Sequence, residues 1–155
     1  MKSIEQVLAE YPFTQGLAPA HQQLIAGCGQ NVAFAPGELL IREGAQADTF
    51  YALRAGRVAL ELHAASRGPL VVQTLGEGEV LGWSWLFPPY TYAFDARALE
   101  PTRAVAFDGA CLRGKCEQDH ELGYQLMKRM AEVFARRLAA TRLQLLDVYG
   151  QPARV

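Results

Sequence analysis

A chain of 155 residues, half of them hydrophobic, is long enough for one compact domain with its own core and too short for two. Its formal net charge of −1 excludes binding to nucleic acid through overall charge. Three cysteines, Cys28, Cys111 and Cys116, do not make a secreted disulfide framework, the first residues MKSIEQVLAEYPF hold no apolar signal core, and no apolar run reaches membrane-spanning length, so a soluble cytoplasmic protein with no membrane partner is expected.

Residues 3–10, SIEQVLAE, predict a short helix capped by Ser3, with Ile4, Val7 and Leu8 at helical spacing. A second helix is expected near residues 19–27, stopped by Gly27 and Gly29. The texture changes at Asn31, where short apolar runs are cut by glycines at 37, 44, 56, 68, 76 and 78, leaving pieces of strand length. TFYALRAG, RVALELHA and PLVVQTL are the clearest strands, and ARALEPTRAVAFD adds two around a turn at Glu100–Pro101. From Gly109 the period becomes helical again: a short helix over about 109–116, then a long one over about 119–148. The tail after it is expected to fray. The fold class is therefore mainly β with flanking helices: an antiparallel β-roll, jelly-roll-like, with short N-terminal helices and a long C-terminal helix. The organisation reads as an N-terminal helical lead-in (1–30), a β-roll (31–108) and C-terminal helices (109–155), one domain overall.

Within the roll, residues 76–98, GEGEVLGWSWLFPPYTYAFDARA, concentrate both tryptophans and most of the local rings, and no charged residue stands between Glu79 and Asp95. Trp83, Trp85, Phe87, Tyr90, Tyr92 and Phe94 suit stacking on a planar ligand, where each ring contact contributes about 1–3 kcal/mol. They suit equally well a pocket filled by its own rings. Pro88–Pro89 stiffens the turn and favours a pre-formed element over a mobile lid.

The order of these segments resembles the cyclic nucleotide-binding domain, the sensor half of catabolite activator and FNR-type regulators. YPFTQGLAPAHQQLIAG is similar to the family's N-terminal helices, and FAPGELLIREGAQADTFYALRAGRVALE to its first strands. In the latter, Gly37–Glu38, Glu43–Gly44, Tyr51 and Gly56 occupy the turn and aromatic positions. GEVLGWSWLF stands where the family's phosphate cassette begins, ARALEPTRAVAF matches the strands leaving it, and MKRMAEVFARRLAATR the long C-helix. The resemblance implies a phosphate seated on backbone N–H groups and an arginine, with a glutamate after a glycine for the ribose. Here Gly82 is followed by Trp83 instead of that glutamate, and the arginine position falls on Tyr92, followed by Ala93. An unmatched buried phosphodiester is costly, so altered or lost cyclic nucleotide binding is expected.

The candidate pocket comprises Leu60, Val72, Gln73, Gly82, Trp83, Ser84, Trp85, Tyr92, Ala93, Arg97, Thr141 and Arg142. Its candidate ligand is a cyclic nucleotide or another small planar molecule. Arg97, the nearest cation, matches a strand arginine of the family rather than its phosphate ligand. Thr141 and Arg142 fall where the family's C-helix reaches the base; Thr141 either meets a purine edge or bonds its own helix backbone. Met130, Phe134, Leu138, Thr141, Leu145 and Val148 form a stripe expected to be a homodimer seam, and Met127, Val133, Leu143 and Leu146 a second, partial one. A partner protein reading the docking of that helix is the expected output.

Lys128, Arg129, Arg136, Arg137 and Arg142, against Glu132, are expected to form a solvated basic face. With the sequence stopping at Val155 and no helix-turn-helix after the long helix, direct DNA binding is not expected. Cys111, Cys116 and His120 have the spacing C-x4-C-x3-H, unlike a zinc site, and read as two packing cysteines beside a solvent histidine. His21 and His63 stand alone, which argues against haem. No metal site is expected, and no enzyme signature is present.

Overall fold

Ser3 begins the first helix in the way its side chain predicts. In the computed structural model, which describes residues 2–64 and 68–150, its hydroxyl accepts the Gln6 N–H at 3.2 Å while the Gln6 side chain accepts the Ser3 N–H at 2.8 Å. This reciprocal cap starts α1 (Ile4–Glu10). A proline opens α2 (Pro19–Ala26), where the missing N–H costs nothing, and Gly27 closes it.

Eight antiparallel strands follow: β1 (Gly29–Phe34), β2 (Leu39–Ile41), β3 (Thr49–Ala55), β4 (Val58–Ala64), β5 (Gly68–Leu75), β6 (Val80–Leu81), β7 (Asp95–Ala98) and β8 (Thr102–Asp108). They form two four-stranded sheets, ordered β1-β8-β3-β6 and β2-β7-β4-β5. The three clearest strands of the sequence are β3, β4 and β5, and the two around Glu100–Pro101 are β7 and β8. Gly56 makes the β3–β4 turn possible. It sits at φ 94°, and a Cβ there would stand 2.6 Å from the Pro101 carbonyl oxygen.

The inner strands β3 and β8 of the first sheet are buried on both faces, and the two-residue period sorts their side chains. Phe50, Ala52, Val105 and Phe107 point to the helices, whereas Tyr51, Leu53, Ala104 and Ala106 point to the second sheet. The second sheet buries Val58, Leu60 and Ala96 inward. Its other face is polar and carries Glu61, His63, Asp95 and Arg97. The core is thus two layers separated by the first sheet.

A 3-10 turn, Trp83–Leu86, leaves β6 after Gly82, which sits at φ 92°. Two helices end the described chain: α3 (Gly109–Gln118), capped by Asp108, and α4 (His120–Tyr149), capped by Asp119. In α4, Leu122, Leu126, Met130 and Val133 are buried against the first sheet's outer layer. Beyond Val133 the helix surfaces: Leu138, Leu143, Leu145, Leu146, Val148 and Tyr149 are all more than half exposed. Met130 is 1% exposed within the chain's own core, so it does not belong to a seam facing a partner. The stripe expected from the sequence divides, with its first turns spent on the chain's own body.

The cysteines depart from expectation. Cys28 and Cys111 form a disulfide, and Cys116 is the free, half-buried thiol. Five residues along a helix turn Cys111 and Cys116 to different sides. Pairing of Gly29 with Phe107 in the β1–β8 ladder instead brings Cys28 beside the start of α3. Among the described residues no helix is long and apolar enough to cross a membrane, and no group of three His, Cys, Asp or Glu side chains could hold a metal ion.

Candidate functional site

The segment between β6 and β7 is anchored by Tyr92, whose side chain belongs to the layer between the sheets. Its hydroxyl donates to the Thr49 carbonyl at 2.6 Å and accepts the Thr49 N–H at 3.1 Å. Burial pushes the phenol up to about 12, against the hydrogen bonds to Thr49, which pull the other way. The ring passes beside Gly82: a Cβ on that residue would lie 3.6 Å from Tyr92 and 2.9 Å from the Thr49 carbonyl oxygen. Tyr92 therefore fills the space under the turn and ties it to β3.

The two tryptophans face the helices. Trp85 is 1% exposed, with Phe50 at 5.6 Å between ring centroids. Trp83 lies between Phe87 at 5.5 Å and Phe134 of α4 at 5.6 Å. Trp83 thus packs on Phe87 and on α4, Trp85 on β3, and Tyr92 between the sheets, so the six rings do not all line one cavity.

The remaining candidate residues are scattered over the molecule. Leu60 is buried between the sheets, and Val72 packs at the edge of that layer, where the β4–β5 register shifts between Leu60 and Glu61. Ser84 is buried in the 3-10 turn and Ala93 is exposed. Arg97 points away from the interior: its guanidinium donates to Glu61 at 3.1 Å and to the Gly37 carbonyl at 2.9 Å. Thr141 and Arg142 are exposed on α4, and the Thr141 hydroxyl donates to the Arg137 carbonyl at 2.9 Å. Of the twelve candidate pocket residues, Gln73 alone lines the cleft described next.

That cleft, about 460 Å³, lies between α4 and the lip of the roll at Gly78, Glu79 and Val80. Arg129, Arg136 and Arg137 enter it from α4, with Glu132 and Glu79 as the acidic groups. Arg137 donates through Nη2 to the Val80 carbonyl, and among the described residues it has no acidic partner within 4 Å. Burial holds its guanidinium below the ordinary arginine value. Arg129 donates to the carbonyls of Phe13 at 2.9 Å and Gln15 at 2.8 Å, fastening the segment after α1. The basic residues of α4 are therefore not one solvated face, because Arg129 and Arg137 reach into the body. Arg129, Val133, Arg136 and Ala140 repeat at helical spacing, a signal in the sequence that was open to reading. Nearby, the Tyr11 hydroxyl lies 2.8 Å from the carbonyls of both Leu53 and Glu79, and burial raises its pKa.

Comparison with known proteins agrees with this architecture. Residues 31–119 match the family described as the cyclic nucleotide-binding domain. A CRP-like cAMP-activated global transcriptional regulator of Mycobacterium tuberculosis is 26% identical over 145 residues. The match takes in 94% of this chain, which spans 63% of that regulator's length. Among solved structures, a protein of Geobacter metallireducens described as cyclic nucleotide-binding is 31% identical. It superposes with a TM-score of 0.79, covering 89% of this chain and 99% of that one. The catabolite activator protein of Thermus thermophilus, at 23% identity, shares the fold with a TM-score of 0.70 over 86% of this chain and 61% of its own.

Proposed function

The chain belongs to the cyclic nucleotide-binding domain family, and from that premise we propose that it is a regulatory rather than catalytic domain in which the family's usual phosphate seat has been replaced. The carrying observation is Tyr92. It stands where the resemblance puts the phosphate arginine, and its ring and hydroxyl are committed to Thr49. With no charged residue from Val80 to Phe94, a phosphodiester entering under the turn meets no cation from that segment. Such a group loses its hydration without a replacement. Signalling in this reading runs through α4: a ligand or partner that favours one docking of the helix over another shifts the balance between them.

Isothermal calorimetry with cyclic AMP and cyclic GMP tests this reading. No saturable heat at micromolar nucleotide is the expected result, and micromolar binding by the usual mode overturns it. A second reading has its own observation, the acid-free Arg137 in the cleft beneath α4. In that reading an anion is gripped by α4 instead of the cassette, and the Arg137→Gln variant loses the micromolar binding that the wild type displays. The exposed residues Leu138, Leu145 and Val148 support a homodimer built on the later turns of α4.

A further inference from the structure

A second cleft, about 310 Å³, opens on the far side of the cassette, between the 3-10 turn and the elbow where α3 passes into α4. Its walls are Trp85, Leu86 and Tyr90 from the cassette, and Leu126 and Met127 from α4. Met127 is half exposed at its mouth. Cys116 also lines it, and burial followed by the charges of Glu117 and Asp119 pushes its thiol up, so sulfur contributes there as an apolar surface. Arg113 supplies the positive charge, His120 an imidazole, and Glu117 the single acid.

Three further observations concern this cleft. Trp85 lines it, and the Trp85 indole N–H is, among the described residues, the only buried side-chain donor or acceptor without a partner. A native chain leaves few such groups unpaired. Tyr90 is the only non-glycine residue described at positive φ, 55°, and its backbone is held there by bonds with Ala47 at 2.7 Å and Phe87 at 3.2 Å. An aromatic residue in that region is costly and persists only where its surroundings enforce it. What the strained backbone presents is a ring with the Arg113 guanidinium 4.4 Å from its centre. Arg113 spends Nη1 on the Trp85 carbonyl at 2.7 Å and has no acidic partner within 4 Å among the described residues.

We propose that this cleft binds a small planar monoanion, an aromatic carboxylate, with its ring between Tyr90 and Met127 and its carboxylate at Arg113 and His120. The apolar walls suit a ring and the guanidinium suits a carboxylate; the Trp85 indole N–H, itself closed to solvent, reports on the packing of that wall. Glu117 on the same rim disfavours a second negative charge. Occupancy ties the cassette to the first turns of α4. The inference goes beyond the nucleotide reading and does not rest on it, since none of these side chains belongs to the cleft holding Arg137.

The test is titration of the full chain with benzoate and with indole-3-carboxylate, followed through the two tryptophan indole N–H resonances. Trp83→Phe assigns them. The Trp85 signal is expected to move saturably, with a dissociation constant on the order of a millimolar for so small a ligand. Met127→Trp, which fills the mouth from an exposed position, is expected to abolish the movement. Arg113→Lys is expected to weaken benzoate about tenfold while leaving the neutral benzamide unchanged. Thermal melting confirms that each variant is folded. An unmoved Trp85 signal well above a millimolar overturns the site, as does a dissociation constant that Met127→Trp leaves unaltered. Benzamide binding as tightly as benzoate overturns the anionic class.

Discussion

Tyr92 uses one oxygen in both directions, giving a hydrogen to a backbone carbonyl and taking one from the N–H of the same residue. Tyr92→Phe deletes that oxygen and leaves both groups of Thr49 without their partner in a half-buried place. The loss is expected to be about 1–3 kcal/mol, read as a lower urea midpoint with an unchanged slope. On the outer face of the second sheet, His63 Nε2 lies 2.6 Å from Asp95. That hydrogen bond raises the histidine above its ordinary 6.5. Burial works against an ionised Asp95, but the Glu43 N–H and then His63 outweigh it and hold the carboxyl below its ordinary 3.8. The histidine's contribution is therefore complete below pH 6.5 and is lost as pH climbs through its raised value. Asp95 contributes above pH 3.8 and loses its share as pH falls through its lowered value. The melting temperature is expected to decline as the solution is taken from pH 6.5 upward through neutrality, and His63→Asn is expected to flatten that decline. The caps at this scale were legible, because Ser3 bonds within its own turn. The outward aim of Arg97 was not, because a strand's period does not say which face meets the core until its partner is known.

Among the elements, α4 divides by what covers it. Its early turns bury Leu122, Leu126, Met130 and Val133, and its later turns present Leu138, Leu145 and Val148. Leu138→Asp is thus expected to convert a dimer into a monomer by light scattering while leaving the melting of the roll within a few degrees of wild type. Loss of the fold itself would place Leu138 in the core. The helix was readable from its spacing, and the strands from their glycine punctuation. Met130 and Leu138 occupy the same stripe, however, and periodicity alone does not tell a residue covered by its own domain from one left bare. Arg137 was hidden for a related reason. Its role depends on Val80, which approaches only through folding, so a basic residue that looks solvated becomes a half-buried donor.

At the scale of the molecule, one covalent link joins residues 83 positions apart. Nothing local announces such a pair, since only the β1–β8 ladder brings its ends together. Closing a loop of that length restricts the unfolded chain, and removing the link is expected to cost about 2–5 kcal/mol. Scanning calorimetry of the reduced protein, or of Cys28→Ser, is expected to report a melting temperature lower by roughly 5–15 °C. A shift near zero would mean that the two sulfurs are not bonded in solution.

The bridge from Cys28 to Cys111 encloses all eight strands within a single closed ring and leaves α1, α2 and α4 outside it. A pull on the two ends of the chain, by a tethered partner or an optical trap, is therefore transmitted around the ring through its sulfur atoms. The outer helices peel away first, and the strands cannot lengthen while the crosslink stands. Traction on α4 would thus be resisted at the boundary between helix and ring, where Met130 and Phe134 grip, and the barrel behind that boundary would behave as an inextensible anchor.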